Sequence, residues 1–246
     1  MSSDQDGGRG ASEPTFEAGG ERVAPSGVNL WANTDHAVAY LRERESIPHR
    51  ADALEVLCEL LPPAVTRVLD IGTGDGSTLA LVLSARPVAE GVGVDFGEEM
   101  VRRARERFAG HARVAIERHD LDDRLPADLG EFDLVVSSFA IHHLAPVRQR
   151  ALYAEVFDRL RPGGRFVNAE HVASPTEELH QDFLTAMGRT PEQDDPSNRL
   201  VGLEDHLTWL NGCGFVNVDC FWKWRELAVV AGDRPASQTG DGKGPQ

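Results

Sequence analysis

Three glycines at alternate positions, Gly72, Gly74 and Gly76, follow a short apolar segment. The pattern favours a strand over residues 67–71 and a helix from about residue 78 to 83, so the glycines occupy the tight turn between them. Glycine suits such a turn because a side chain would hold a ligand off the backbone, and because a positive φ is often required. The exposed amides of the helix's first turn would then face the ligand. The segment therefore predicts a binding site built on backbone.

Two acids accompany the glycines, since Asp70 ends the strand and Asp75 lies inside the turn. A dinucleotide fingerprint would place a third glycine at position 77, where this chain has Ser77. A pyrophosphate would prefer a turn without acids, whereas a cationic sulfonium with an amino-acid tail suits a turn that carries them. Spacing and charge together favour a cationic ligand over a dinucleotide.

Further polar residues follow other segments that are apolar enough to be buried strands. We predict these strands over residues 89–95, 113–117, 132–139 and 165–170, with helices between them. Strands that alternate with helices indicate a mainly parallel sheet, and ligands bind outside the carboxyl ends of such strands. We therefore expect one edge of the sheet to carry Asp70, Asp95, Asp120, Ser137 and Glu170.

Histidines supply the candidates for proton transfer. His142 and His143 follow the fourth strand, and Glu170 and His171 follow the fifth. A neutral imidazole accepts a proton near pH 7, so any of these histidines suits a general base, and Glu170 could instead hold an amine. The alternative for the His142 and His143 pair is a purely structural role.

A metal site is a further alternative for the same side chains together with His180. Imidazole and carboxylate are suitable ligands for a divalent metal, but the spacing of these residues follows no recognised metal-binding pattern. We therefore predict no metal.

The elements that position these residues make up one predicted domain, residues 28–231. Residues 1–27 and 232–246 are polar and poor in large apolar side chains, which predicts a disordered tail at each end. Residues 28–48 are expected to form an N-terminal lid over the binding site, in which Trp31 borders the bound substrate. Residues 172–202 interrupt the alternation of strand and helix and are too long for a plain connection, so we expect a second lid there.

Composition narrows the class of protein. The chain of 246 residues carries a net charge of −15, which repels a phosphate backbone and argues against a nucleic-acid partner. No apolar run is long enough to span a membrane and the N-terminus lacks a signal region, so we predict a cytoplasmic protein without a membrane partner, either monomeric or homodimeric. The three cysteines show no C-x-x-C spacing and predict buried free thiols.

Five motifs follow one another along the chain: Val-Leu-Asp-Ile-Gly-Thr-Gly-Asp-Gly (68–76), Gly-Val-Asp (93–95), His-Asp-Leu (119–121), Phe-Asp-Leu-Val-Val-Ser (132–137) and Leu-Arg-Pro-Gly-Gly-Arg-Phe (160–166). This ordered set resembles the class I S-adenosylmethionine-dependent methyltransferases that act on small molecules. The resemblance covers about residues 50–231 and implies an α/β, Rossmann-like fold. That fold is a mostly parallel seven-stranded sheet of order 3-2-1-4-5-7-6 with an antiparallel seventh strand, helices on both faces and helical lid elements.

The resemblance also implies which residues hold the cofactor, S-adenosylmethionine. The glycines would approach its methionine part, with Asp70 near the sulfonium, and Asp95 would accept both ribose hydroxyls. Asp120 would bind the adenine amine and the backbone amide of Leu121 the adenine ring, although Asp122 and Asp123 are alternatives to Asp120. The predicted cofactor-binding residues are Asp70, Gly72, Thr73, Gly74, Gly76, Asp95, Phe96, Asp120, Leu121 and Ser137.

The implied activity is methyl transfer to an oxygen, nitrogen or carbon atom of a small-molecule acceptor. Methyl transfer from a sulfonium needs alignment and exclusion of water, and a base only if the acceptor carries a proton at neutral pH. The candidates for that base and its partners are His171, Glu170, His142 and His143. Two alternatives remain open: a regulatory module that binds the cofactor without catalysis, and another transfer reaction on the same cofactor site.

Overall fold

The computed structural model describes residues 47–237, which form one seven-stranded sheet with six α-helices. The predicted tail at 1–27, Trp31 and residues 28–46 of the predicted N-terminal lid lie outside the described residues, as do residues 238–246. The strands are β1 (Arg67–Ile71), β2 (Glu90–Asp95), β3 (Val114–Arg118), β4 (Phe132–Ser138), β5 (Leu160–His171), β6 (Val216–Trp224) and β7 (Leu227–Asp233). The helices are α1 (Arg50–Glu59), α2 (Ser77–Ala85), α3 (Glu98–Arg107), α4 (Pro146–Arg159), α5 (Glu177–Ala186) and α6 (Leu203–Cys213).

The strand order is β3-β2-β1-β4-β5-β7-β6, which confirms the predicted topology. Strands β1 to β5 pair in parallel, and β7 runs antiparallel to both β5 and β6. The carboxyl ends of β1, β2 and β4 therefore meet at one edge, as expected from the alternation of strands and helices.

Both faces of the sheet are covered, because successive side chains of a strand point to opposite faces. On β1, Leu69 and Ile71 join an apolar cluster with α4 and α6, whereas Val68 joins a second cluster with α1, α2 and α3. The helices pack their apolar stripes against these clusters. In α3, for example, Val101 and Ala104 are buried while the basic side chains lie outside.

Two segments differ from the sequence-based expectation. The fifth strand was expected over residues 165–170, but β5 begins at Leu160 and includes Arg161-Pro162-Gly163-Gly164, with Gly163 at φ 81° and a register shift against β4. A local bulge thus lengthens the strand.

The carboxyl end of the domain also extends beyond the expected boundary at residue 231. Strand β7 continues to Asp233, which pairs with Arg165 at 2.6 Å, and the Arg234 amide donates to the Gly164 carbonyl at 2.8 Å. The polar composition had predicted a disordered tail from residue 232 onward. The hydrogen bonds of the sheet and an ion pair instead hold these residues in place.

The insertion at 172–202 contains α5 and a short 3₁₀ turn, Pro191–Gln193. The Thr176 side chain caps α5 by accepting from the Leu179 amide. A bridge between Ala173 and Gly202 closes the two ends of the insertion. The insertion is therefore a structured flap on the carboxyl side of β5.

Within the described residues, no helix is long and apolar enough to cross a membrane.

Candidate active site

An open cleft lies at the carboxyl edge of β1, β2 and β4. With its mouth, which is open to solvent, it encloses about 890 Å³. Many of the predicted cofactor-binding residues line this cleft: Gly72, Thr73, Gly74, Asp95, Phe96, Asp120 and Leu121. These predicted residues are up to 49 positions apart in the sequence, from Gly72 to Leu121, and the cleft brings them together.

The three glycines of the turn all have positive φ, but they serve different contacts. A Cβ on Gly72 would lie 2.2 Å from the Ala140 Cβ, and one on Gly76 would lie 2.7 Å from the Phe108 ring. A Cβ on Gly74 would meet nothing within 4 Å. Gly72 and Gly76 thus permit close packing within the protein, and Gly74 borders open space in the cleft. Gly76 is not among the residues that line the cleft, contrary to the expected contact with the ligand.

Asp95 is fixed at the end of β2 by two backbone amides. Its Oδ2 accepts from the Gly74 amide at 2.9 Å, and its Oδ1 accepts from the Gly97 amide at 2.8 Å. Burial raises the pKa of Asp95, and the two amides oppose that shift. Each carboxylate oxygen can accept a second hydrogen bond, so the group can still receive two hydroxyl donors.

Asp120 and Leu121 form another part of the wall. Asp120 is exposed, and its Oδ1 accepts from the Asp122 amide at 3.0 Å. Leu121 is buried, and its carbonyl accepts from Arg148 at 2.6 Å. Asp122 also lines the cleft, whereas Asp123 does not, which reduces the alternatives left open by the sequence.

Asp70 is fully buried behind the glycine turn and does not line the cleft. Its Oδ2 accepts from the Thr73 hydroxyl at 2.7 Å, while its Oδ1 has no partner among the described residues. Burial is the main cause that raises the pKa of Asp70 to about 7, and the charges of Asp95 and Asp75 add to it. The structure thus places Asp70 beneath the turn, in a position to orient Thr73.

This shifted pKa predicts a pH-dependent stability. Between the ordinary pKa of 3.8 and about 7, the folded protein keeps a proton that the unfolded chain has lost. The free energy of unfolding therefore falls as pH rises through this window. We expect Asp70→Asn to be more stable than the wild type at pH 8, by on the order of 2 kcal/mol, with the difference shrinking towards pH 5.

Urea denaturation of both proteins across this pH range would measure the effect. The control is Asp128→Asn, which changes an exposed carboxylate outside the cleft. Parallel stability profiles for the wild type and Asp70→Asn would contradict the expectation.

Ser137 was predicted to contact the cofactor, but the serine that lines the cleft is the next residue, Ser138. Its side chain is fully buried and donates to the Ile71 carbonyl at 2.9 Å, and the residue does not line the cleft. Ser138 lines the cleft instead, and its Oγ is buried without a partner among the described residues. Neighbouring strand residues face opposite sides, so the two serines cannot share one role.

His142 and Glu170 form a buried pair outside the cleft lining. The His142 Nδ1 lies 2.5 Å from the Glu170 Oε1, and the Glu170 Oε2 accepts from Asn168 at 3.1 Å. Burial lowers the pKa of His142 and raises that of Glu170. Glu170 is fully buried and its oxygens are already bonded within the protein, so it does not match the expected contact with an acceptor amine.

His143 is the predicted catalytic residue that lines the cleft. It lies in the 3₁₀ turn Ile141–His143, with its ring centroid 4.1 Å from that of His142. Burial, followed by the charge of His142, lowers the pKa of His143, so the imidazole is neutral at pH 7. A neutral imidazole at this place can accept a proton.

His171 and His180 bind Glu226 rather than facing the cleft. The His171 Nε2 lies 2.9 Å from one Glu226 oxygen, and the His180 Nδ1 lies 3.0 Å from the other. Burial alone would raise the pKa of Glu226, but bonds from His171, Ser174 and His180 lower it overall. This cluster fastens α5 to the sheet. Among residues 47–237, no group of three or more His, Cys, Asp or Glu side chains is arranged to hold a metal.

Several cleft residues were not predicted from the sequence. Phe139, Ala140 and Leu144 line the cleft after β4, and the rule that ligands bind beyond strand ends could have found them. Arg50, at the start of α1, had no local signal. It is the one Lys or Arg side chain that lines the described cleft. Its Nε is buried without a partner, and its guanidinium lies 5.5 Å from the Phe139 ring centre.

Comparisons with known proteins agree with the fold and the motifs. The sequence profile of a family described as "Methyltransferase domain" matches residues 68–164. Phosphoethanolamine N-methyltransferase of Plasmodium falciparum is 27% identical over 169 residues, 67% of this chain and 60% of that one. Carboxy-S-adenosyl-L-methionine synthase of Campylobacter hominis is 22% identical over 75% of this chain and 85% of that one. The chain thus matches less than two thirds of the Plasmodium enzyme.

Solved structures share the fold at low sequence identity. An O-methyltransferase family protein from Burkholderia thailandensis superimposes with a TM-score of 0.66 and 20% identity, covering 85% of this chain and 62% of that one. Residues 68–164 thus match a methyltransferase domain, and the strand order and glycine turn agree with the resemblance to the class I S-adenosylmethionine-dependent methyltransferases.

The described residues fit the cofactor of that family. The cleft offers an open space beside Gly74 and two buried polar atoms without a described partner, the Ser138 Oγ and the Arg50 Nε. It also carries carboxylates, at Asp75, Asp95, Asp120 and Asp122, that suit a cation. Hydroxyl, amine and carboxylate groups of S-adenosylmethionine match these donors and acceptors.

Proposed function

We propose that this enzyme transfers a methyl group from S-adenosylmethionine to an oxygen, nitrogen or carbon atom of a small metabolite. The observation that carries the proposal is the cleft in which Asp95 is fixed by the Gly74 and Gly97 amides beside an open glycine turn. The bound cofactor supplies an electrophilic methyl group on a sulfonium. The protein aligns it, excludes water and removes a proton where the acceptor carries one.

The individual contacts follow from the donors and acceptors in the wall. Asp95 accepts from the two ribose hydroxyls, and Asp120 accepts from the adenine amine. The Gly72 to Gly74 backbone borders the methionine part, where the open space beside Gly74 allows close approach. The Thr73 hydroxyl donates to Asp70. Asp70 therefore influences cofactor binding by orienting Thr73 in the turn and does not contact the cofactor itself.

Calorimetric titration with S-adenosylmethionine, S-adenosylhomocysteine and NAD tests the cofactor assignment. We expect the first two to bind and NAD not to bind. Transfer of labelled methyl groups to a panel of hydroxyl, amine and carbon acceptors tests the reaction. Binding of NAD alone would overturn the proposal, and cofactor binding without turnover on any acceptor would favour a regulatory module.

The proposal of a small-molecule acceptor rests on the net charge of the chain and on the names of its relatives. The net charge of −15 disfavours nucleic acid, and the named relatives include a phosphoethanolamine N-methyltransferase and an O-methyltransferase family protein. These names differ in the atom methylated, so the proposal covers oxygen, nitrogen and carbon.

A second candidate is formation of a carboxylated form of the cofactor. It is favoured by the match to carboxy-S-adenosyl-L-methionine synthases, one of which aligns over 85% of its own length. Mass spectrometry of the cofactor after incubation with carboxylic-acid donors separates the two reactions. A cofactor that gains the mass of a carboxyl group would favour the second candidate, and one that loses a methyl group to an acceptor would favour the first.

Arg50 is proposed to bind the carboxylate of the methionine tail. It supplies the guanidinium of a cleft whose other charged side chains are acidic. We expect Arg50→Gln to weaken S-adenosylmethionine binding about tenfold, the loss of one charge-assisted hydrogen bond. Decarboxylated S-adenosylmethionine should bind wild type and variant equally, because the partner of Arg50 is then missing.

Calorimetry with both ligands would measure these four affinities. Arg103→Gln is the matched control, since Arg103 pairs with Glu99 on α3 outside the cleft. An equal loss of affinity for both ligands in Arg50→Gln would show that Arg50 shapes the cleft without binding the carboxylate.

A further inference from the structure

The flap after β5 reaches the imidazole of the cleft through a serine. The Ser197 Oγ lies 3.0 Å from the His143 Nδ1 and donates to the Asp195 Oδ1 at 2.7 Å. The same Asp195 oxygen accepts from the Ser197 amide at 2.8 Å, which fixes the serine relative to the carboxylate. Three residues thus form a chain of contacts from the flap to the wall of the cleft.

The segment that carries these residues is tied to the turn containing His143. The Arg199 amide donates to the His142 carbonyl at 2.8 Å. The buried Gln149 side chain donates to both the Leu144 carbonyl and the Arg199 carbonyl at 2.9 Å. Contacts at Arg199, two residues after Ser197, therefore hold this segment against the turn that contains His143.

The position of the serine proton decides the tautomer of His143. A hydroxyl has one proton to donate, and a carboxylate is an acceptor only. A hydrogen bond to a charged carboxylate is shorter and stronger than one to a neutral ring nitrogen, so the proton goes to Asp195. The Ser197 oxygen then accepts from His143, whose Nδ1 must carry the ring proton. The lone pair of the neutral imidazole is left on Nε2.

We propose that Asp195 and Ser197 are positioning residues that hold His143 as the Nδ1-protonated tautomer, so that Nε2 removes a proton from the acceptor. This inference rests on the proposed function and narrows the acceptor to a group that bears an O–H or N–H. The proton passes to Nε2, and the acceptor's electron pair forms the bond to the methyl carbon. The pair of the broken carbon–sulfur bond stays on sulfur, and the imidazolium returns its proton to water.

The charged and titratable groups around His143 are consistent with a neutral base. His142 stacks beside it from the same turn and opposes a positive charge on the ring. Asp195 on the flap and Glu170 on β5 favour a positive charge. The two carboxylates therefore stabilise the imidazolium that forms when the proton is taken up.

Nitrogen NMR of the histidine side chains in the cofactor-free protein tests the tautomer without relying on activity. We expect His143 to be neutral and protonated on Nδ1 at pH 7. In Ser197→Ala we expect a mixture of tautomers, and in Ser197→Thr, which keeps the hydroxyl, the wild-type tautomer. A wild-type His143 that is protonated on Nε2 or on both nitrogens would overturn the proposal, as would an unchanged tautomer in Ser197→Ala.

Kinetics and binding separate this inference from the proposed function. We expect Ser197→Ala to lower kcat about tenfold and His143→Ala about 10²- to 10⁴-fold, with little change in the affinity for S-adenosylmethionine. Ser197→Thr should restore kcat. If the wild type did not bind the cofactor, the proposed function would fail while the tautomer measurement still stood. Methyl transfer only to carbon or to a thioether would overturn the assignment of the acceptor.

Discussion

Replacing Gly74 with alanine is expected to abolish cofactor binding in a folded protein, whereas replacing Gly72 is expected to unfold much of it. Both glycines have positive φ, which costs other residues about 1–2 kcal/mol. A Cβ at position 74 meets no protein atom within 4 Å and would lie where the ligand approaches the backbone. Gly74→Ala should therefore lose about 1 kcal/mol of stability and at least 100-fold in affinity for S-adenosylmethionine.

Gly72→Ala adds a collision to the same backbone penalty. The new Cβ would lie 2.2 Å from the Ala140 Cβ, so the turns after β1 and β4 would have to separate. Overpacking of this kind costs about 1–3 kcal/mol, which brings the expected loss to about 2–5 kcal/mol. Gly163→Ala is the matched control: its φ is also positive and its Cβ meets nothing, but it is not among the residues lining the cleft.

Thermal denaturation and calorimetry of the three variants would measure stability and affinity separately. We expect Gly163→Ala to resemble Gly74→Ala in stability and the wild type in affinity. Normal affinity in Gly74→Ala would mean that the cofactor does not approach this turn, and the proposed contact would be withdrawn.

Asp95→Ala is expected to weaken S-adenosylmethionine binding about 100-fold. The carboxylate accepts two ribose hydroxyls in the proposed complex, and hydrogen bonds to a charged group contribute about 1.5–3 kcal/mol each. The loss exceeds that expected for Arg50→Gln because two bonds disappear together. Part of it arises from the turn, since Asp95 also fixes the amides of Gly74 and Gly97.

Calorimetry with S-adenosylmethionine and with methionine separates these two contributions. Methionine lacks the ribose, so any change in its binding reports on the turn alone. The control is Asp128→Ala, which removes an exposed carboxylate outside the cleft. Affinity for S-adenosylmethionine within a few fold of the wild type would exclude Asp95 as the ribose anchor.

The sequence predicted the sheet because its signals are local. Strand and helix patterns alternate over short distances, and the glycine turn with its flanking acids lies within ten residues. The resemblance supplied the order of the strands, which alternation alone leaves open. The direction in which a strand residue faces was harder to predict. Because β4 is buried on both faces, its apolar run does not reveal that Ser138, rather than Ser137, faces the cleft.

Contacts between distant segments could not be predicted. Arg50 lies 22 positions before Gly72 and Ser197 lies 54 positions after His143, yet each pair belongs to one site. Glu226 binds His171 and His180 across 55 and 46 positions, although His171 had been considered as a general base and His180 as a metal ligand. No periodicity or motif records such pairings, because they arise only when α1, β7 and the flap pack against the rest of the fold.

The acidic wall of the cleft has a consequence for turnover. Four aspartates line it with one arginine, and His143 is neutral. The methyl donor carries a positive sulfonium, whereas the spent cofactor has lost that charge and is otherwise almost the same molecule. Carboxylates that line the cleft would stabilise the charged form and would not stabilise the neutral one. If the proposed methyl transfer takes place here, we therefore expect the spent cofactor to bind more weakly than the methyl donor.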